Sequence, residues 1–474
     1  MKNLRNYLFC LSFLIFSFLY NAYTQNNFDP ILINRLQQEL DLSLKNYNDV
    51  GASAAVISAR KGTWLGTSGY SNPVTKDTIT SEMLFGIGGI TESYTAAMMI
   101  KLLAEGTNNN LYDTIQYNWI LDYPNLWTNS LLTIHSLIHH SSSLFDYTEH
   151  PLFKQSCYSD SSRVWTPHEI LTNFLNPPYS TWAIRFSDTD FLLAGMIIEQ
   201  ETGTSVSHEL HNDFLDPYNL NHTFLEVEDT VVGDLAHPWM DIDGDMILDD
   251  LYPMPRTSRY SMAWTSGGII ATAEDVANWA GYLYRGEYFS HQYLIQMVSF
   301  TPVNFPPING YGLGTCRFTI EGRNFWGYIG KIDGFSSAMY YLPTDSISFV
   351  VLMNSYTGHA SQIVENLIQV YLNFITSVDQ KKCGSEKINF QLHPNYPNPF
   401  NPSTTIAFDL PKASQVTLKI LNVLAEEVET LVSDFLFSGS YEYQWDAGNM
   451  ASGVYLYKLE AEEYVEIRKM ILMR

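Results

Sequence analysis

Basic residues are scarce in this chain. Of its 474 residues, 26 are Lys or Arg against 50 Asp or Glu, for a formal net charge of −24. Such a surface repels polyanions, which argues against nucleic acid and anionic membrane surfaces as partners. Cysteine is scarcer still, at four residues. Cys10 lies in the first apolar run, leaving Cys157, Cys316 and Cys383 for at most one intrachain disulfide, so the fold is held by its core and not by a disulfide framework. Beyond the N-terminus, no segment approaches the roughly 18 continuous apolar residues of a membrane-spanning helix. Internal repeats and low-complexity tracts are absent too. What is present is a globular composition, 46% hydrophobic and 14% aromatic, with length for two or three domains and a substantial core.

The N-terminal run has the three parts of an export signal. Lys2 and Arg5 supply the charge, Tyr7 to Tyr20 the apolar stretch, and "NAYTQ" the small-residue exit, placing cleavage near Thr24. Residues 1–24 are therefore expected to be a signal peptide, with no stable membrane span after its removal.

From 25 to 375 the chain alternates strand-like and helix-like stretches. "ASAAVISARKGTWLGTSGYS" reads as a hairpin turning at Lys61-Gly62, and Thr91 to Glu105 as a helix closed by Gly106. "FWGYIGKIDGFSSAMYYLP" and "ISFVVLMNSY" read as late strands, and "ASQIVENLIQVYLNFI" as an amphipathic last helix. Strands at both ends with helices between predict an α+β domain built on one antiparallel sheet. Residues 376–392 read as a polar linker. From 393 to 474 the pattern turns to short alternating strands, with Ile406, Phe408 and Leu410, then Val416, Leu418 and Ile420, which predicts a small all-β sandwich.

Five blocks in order carry a family resemblance: "FGIGGITESYTAAMMIKLLAEG", "LTIHSLIHHSSSLFDY", "IRFSDTDFLLAGMIIEQETG", "TSGGIIATAEDVANWA", and "YGLG" followed by "GYIGKIDGFSSAMYYLP". Together they resemble the serine β-lactamase and D-alanyl-D-alanine peptidase superfamily, on its class C and esterase-like side. The resemblance implies a β-lactamase/transpeptidase-like sheet flanked by helices. It also implies a nucleophilic serine at a helix N-terminus with a lysine three residues on, a tyrosine and an asparagine from a second block, and a cationic residue on a strand that ends in glycine.

This chain departs from that pattern at each catalytic position. The serine slot holds Gly89 and the lysine slot Glu92. The tyrosine and asparagine slots hold Phe186 and Asp188, and the strand's cation slot holds Tyr328, two residues before Gly330. The chain's Ser-x-x-Lys pair, Ser58 and Lys61, falls in the first hairpin, where the two would not share a helix face. Ser93 points about 100° from Glu92 on a helix.

The expected protein is thus a non-catalytic homologue that binds a small molecule, peptide or partner through a cleft containing Glu92, Ser187, Asp188, Tyr328 and Gly330. Exchanging two cations for Glu92 and Tyr328 predicts an acidic cleft suited to cationic or neutral ligands. The alternative is an active esterase, carboxypeptidase or β-lactamase with another nucleophile. No cofactor is implied, apart from calcium at Asp241, Asp243 and Asp245 in "MDIDGDMILDDLYP", where alternating carboxylates suit a hard cation although the glycine is misplaced for an EF-hand. Neighbouring His139 and His140 are expected to point apart, and the resemblance gives His140 a turn role.

Residues from His393 onward, through "NYPNPFNPSTTIAFDLPKASQVTLKILNVLAEEV" and "RKMILMR", resemble the type IX secretion C-terminal sorting domain. That implies contact with the type IX machinery and a secreted or cell-surface location.

Overall fold

The computed structural model describes residues 28–473, except 60, 105, 107–109, 116–119, 121, 127–131, 180–182, 357–358, 383–389, 413, 437–438 and 449. The expected signal peptide and Cys383 lie outside the described residues.

Asp29 opens the first helix, α1 (Pro30–Tyr47), by accepting from the Ile31 N–H at 2.7 Å, with proline at the first helical position and Asn48 closing the helix in the left-handed conformation. The chain then lays down β1 (Gly51–Ser58), β2 (Gly62–Asn72) and β3 (Asp77–Thr78). After the helical middle it returns with β4 (Thr301–Phe305), β5 (Ile308–Tyr311), β6 (Cys316–Ile320), β7 (Arg323–Ile332), β8 (Phe335–Leu342) and β9 (Ile347–Met353). These nine strands form one sheet in the order β3-β2-β1-β9-β8-β7-β6-β5-β4, antiparallel throughout.

The middle of that sheet is covered on both faces. β8 and β9 are buried at every position, so they read as unbroken apolar runs and not as alternation. Phe349, opposite Tyr340, meets Tyr371 of the last helix. Tyr341, one residue on and so on the other face, meets Tyr284 of a middle helix, with ring centroids 5.5 Å apart in both cases.

The helices that matter for the cleft are α2 (Thr91–Ala104), α3 (Ile134–Ile138), α4 (Asp188–Thr202), α5 (Thr257–Gly267), α6 (Ala273–Arg285) and α7 (Ala360–Lys382). The last helix continues past 375 into the stretch read as linker. Thr95 of α2 donates to the Thr265 carbonyl of α5 at 2.7 Å, and Thr265 in turn to Phe191 of α4 at 2.8 Å, which fixes three helices behind the cleft. Among the described residues no helix is long and apolar enough to cross a membrane. Cys157 and Cys316 are free and buried.

The C-terminal region has a hydrophobic core of its own, around Ile406, Phe408, Val416, Leu418, Trp445 and Leu459. It is made of β10 (Gln391–Leu392), β11 (Ser403–Leu410), β12 (Ser414–Leu421), β13 (Glu427–Leu436), β14 (Gly439–Asp446), β15 (Gly453–Ala461) and β16 (Tyr464–Leu472). A three-stranded sheet, β10-β11-β14, and a four-stranded one, β13-β12-β15-β16, enclose that core. Strict alternation of burial along β11 places Thr404, Ile406, Phe408 and Leu410 inward.

Candidate functional site

The cleft forms where α2 begins against β7. A tight turn at Gly88–Ile90 leads into α2. Gly88 has φ +51, and a Cβ there would stand 2.5 Å from the Lys331 carbonyl oxygen. Opposite, a Cβ on Gly330 would run into the Ile87 carbonyl. Both glycines are needed for this close approach of turn and strand. Gly89 is different, because its backbone is ordinary. A Cβ there would stand 3.0 Å from the Ile329 carbonyl and 3.2 Å from the Tyr328 ring, so the tyrosine fills the space beside Gly89.

Glu92 points inward from the first turn of α2 and is buried. It accepts from the Tyr328 hydroxyl of β7 and lies 3.0 Å from His140 Nε2. His140 Nδ1 lies 3.1 Å from Asp190 Oδ2 of α4, and Ser142 donates to Asp190 Oδ1 at 2.5 Å. The Tyr311 hydroxyl from β5 lies 3.1 Å from that of Tyr328. One connected network therefore joins Glu92, His140, Asp190, Ser142, Tyr311 and Tyr328. Burial lowers the affinity of His140 for its proton, but the Glu92 and Asp190 carboxylates outweigh this and push its pKa up to about 10. His140 is accordingly an imidazolium between two carboxylates. Burial raises Asp190 to about 6 despite its bonds to His140 and Ser142. The Tyr328 and Tyr311 hydroxyls are held protonated, first by burial and then by Glu92.

His140 was read as a turn residue, and it is one, with φ +53 just past α3. That description missed its second role as the cation at the floor of the site. His139 points away, to Thr301 Oγ1 at 3.1 Å, and burial with its histidine neighbours lowers its pKa to about 4.

Asp188 opens α4 and faces the cleft. Part of the residue touches the cleft, yet burial of its carboxyl, followed by the Asp146 and Glu92 charges, pushes its pKa to about 8. It is largely a neutral acid near pH 7. Phe186 sits edge-on to His140 and Tyr311, with ring centroids 5.1 and 5.2 Å away. Ser187 is buried, its Oγ has no hydrogen-bond partner among the described residues, and it is not on the cleft wall. Glu92, Asp188, Tyr328 and Gly330 are on that wall.

The cleft has two arms that share Gly89, Asp188 and Lys331. One, of 470 Å³, is bounded by Glu92, Phe186, Tyr328 and Ser337. The other, of 250 Å³, is bounded by Tyr147, Phe153, Arg259, Ser266 and Tyr356. The expectation of an acidic cleft needs correcting: His140 answers Glu92 from below, and Arg259 and Lys331 bring positive charge to the second arm. Both lie outside the family motif positions, so the sequence blocks did not single them out.

Ser93 donates to the Ile90 carbonyl and accepts from Trp279 of α6, away from the cleft. Lys61 reaches Tyr371 and Asp345 at the turn end of the central strands, away from the cleft, and its contact with Ser58's hydroxyl is through its backbone N–H within their common turn. In the acidic turn, Asp249 and not Asp245 joins Asp241 and Asp243, with carboxylate oxygens within 4.8 Å of one another. The short ladder pairing Met240 with Asp249 brings Asp249 back beside Asp241, while Asp245 caps the Ile247 N–H at 2.8 Å. Backbone N–H groups of Gly244, Met246 and Ile242 already bond these carboxylates.

Comparison with known proteins agrees with this architecture. A family profile described as Beta-lactamase matches residues 36–371, and one described as Secretion system C-terminal sorting domain matches residues 395–473. The second match marks a protein exported by the type IX system, secreted or at the cell surface. The chain is 22% identical over 382 residues to unguisins hydrolase ungD' of Aspergillus campestris, aligning 74% of this chain and 66% of the relative. The chain thus spans about two thirds of that relative's length. Among solved structures, D-amino acid amidase from Ochrobactrum anthropi SV3 superposes with a TM-score of 0.64 at 24% identity, covering 73% of this chain and 99% of that one. The octameric penicillin-binding protein homologue from Pyrococcus abyssi does so with a TM-score of 0.57 at 19% identity, covering 92% of this chain and 100% of that one. At such identities the likeness shows a shared fold.

Proposed function

The chain belongs to the beta-lactamase family, and we propose that it is a non-catalytic member, exported to bind a small molecule or peptide in the former acyl-transfer cleft. The observation that carries this reading is the pairing of Gly89 with the Glu92–His140–Tyr328 network. Acyl transfer needs a nucleophile and a group that can take its proton, within hydrogen-bond reach of each other. At this position there is no side chain to attack. The residue in the base slot is already bonded to a tyrosine and an imidazolium. Two further serines on the wall are directed to backbone: Ser337 donates to the Ile87 carbonyl at 2.7 Å and Ser336 to that of Ser355 at 3.0 Å.

One observation favours the second reading, an active hydrolase. Ser266 lines the cleft close to Asp188, and the relatives named above include a hydrolase and an amidase. Against it, the Ser266 hydroxyl donates to the Ala263 carbonyl at 2.6 Å, and Asp188, largely protonated near neutrality, is a weak base for an alcohol. The two readings separate in one assay. Wild type and Ser266→Ala are incubated with chromogenic esters, D-amino-acid amides and a chromogenic cephalosporin, and the same proteins are screened for thermal shifts with their uncleavable analogues. Shifts without turnover support the binding reading. Turnover that disappears in Ser266→Ala overturns it.

A further inference from the structure

The two arms of the cleft treat their polar groups differently, and the smaller arm leaves a buried cation incompletely bonded. Arg259 is 5% exposed and lines that arm. A guanidinium offers several N–H donors and no acceptor. Arg259 Nη1 contacts the Met254 sulfur at 3.4 Å, and its guanidinium lies 5.8 Å from the Tyr158 ring centroid. Its nearest carboxylate oxygen, on Asp333, is 3.8 Å from Nε, beyond hydrogen-bond length, and Nε has no hydrogen-bond partner among the described residues. Asp333 itself accepts from Tyr158 at 2.6 Å. A buried charge is costly unless its bonds are completed.

Lys331 adds a second positive charge at the junction of the arms. It is exposed, its Nζ lies 5.3 Å over the Tyr356 ring, and no carboxylate of the described residues pairs with it. Tyr147, Phe153 and Tyr356 supply aromatic walls. Asp188, at the same junction, is mostly neutral near pH 7 and so repels an anion little, while Asp333, also on the wall of this arm, faces Arg259 at 3.8 Å and leaves Lys331 as the cation without an ion pair among the described residues.

We propose that Arg259 and Lys331 form an anion subsite in the smaller arm, which takes the carboxylate of a ligand whose aromatic or apolar body lies against Tyr147, Phe153 and Tyr356. This rests on the ligand-binding reading of the cleft and names the chemistry of its ligand. It also revises the expectation that carboxylates are excluded. That exclusion belongs to the Glu92 arm.

The test compares phenylacetate with phenylacetamide, its neutral isostere, as probes of the purified protein by titration calorimetry and NMR at low salt. Phenylacetate is expected to bind at least about fivefold more tightly, with the preference shrinking as salt is added. Lys331→Gln, an exposed change that leaves the fold intact, should reduce the preference to within about twofold, and Arg259→Lys should weaken the acid more than the amide. Equal binding of acid and amide by wild type overturns the subsite and leaves the cleft a binding site. Binding of neither, up to the solubility of both, overturns the subsite and the ligand-binding reading together. Hydrolysis of phenylacetamide with the acid preference retained overturns the non-catalytic reading and leaves the subsite standing.

Discussion

The two arms of the cleft meet at Gly89, Asp188 and Lys331 and are built on opposite principles. In the Glu92 arm, Glu92, His140, Asp190, Ser142, Tyr311 and Tyr328 bond one another, so the polar groups are directed inward. In the Arg259 arm, the guanidinium is buried but under-bonded and Lys331 stands over an aromatic ring. A self-satisfied network holds a shape, whereas unsatisfied charge calls for a ligand. The proposed binding function thus makes the Glu92 arm structural and the Arg259 arm the place of recognition.

The largest effect should come from cutting the closed arm. Glu92→Ala leaves a buried imidazolium with one carboxylate partner in place of two, and should cost about 3–5 kcal/mol in urea unfolding. A cost under about 1 kcal/mol, the size of an exposed pair, would erase the contrast between the arms.

Next in size is the pH dependence. His140 is raised above its unfolded value, so its contribution is complete below about pH 6.5 and disappears as pH rises to about 10. Asp188 and Asp190 are also raised, to about 8 and about 6, so the folded state holds their protons more tightly and their effect runs the same way. The melting temperature should therefore fall steadily from about pH 6.5, below which His139 with its pKa lowered to about 4 pulls the other way, to about pH 10, and Asp188→Asn should flatten the part below about pH 8. A melting temperature that rises across this window contradicts the network's charge state.

Gly89→Ser sharpens the comparison from the other side. The new side chain meets the Tyr328 ring and the Ile329 carbonyl, and should cost about 1–3 kcal/mol as overpacking does. It should produce no turnover, since Glu92 remains in the base slot. The smallest effect belongs to Lys331→Gln, which should leave stability within about 0.5 kcal/mol, as exposed substitutions usually do, while reducing the preference for acids over amides to within about twofold.

Much of this was legible before any coordinates. The single antiparallel sheet, though not its nine strands, and the C-terminal sandwich follow from strand periodicity and block order, because alternation and unbroken apolar runs are set by which faces are covered. Gly89, Glu92 and Tyr328 were singled out from the residues that flank them, and the structure brings all three to one wall. The role of His140 was not, since its partners Glu92 and Asp190 lie 48 and 50 residues away on two different helices. Its local signal, a left-handed turn, was real but incomplete. Asp249 was missed for a related reason: sequence spacing favours neighbours, whereas a two-residue ladder returns a more distant carboxylate to Asp241. Arg259 and Lys331 meet at the cleft only because α5 packs behind β7, a tertiary fact with no local pattern.

The most direct test of the account is an intact-mass measurement. The purified protein is incubated with a fluorophosphonate and, separately, with a fluorescent penicillin, and its mass is read before and after. The account predicts an unchanged mass with both reagents, in wild type and in Gly89→Ser with penicillin. A stoichiometric adduct on a cleft serine, Ser266 above all, would contradict it.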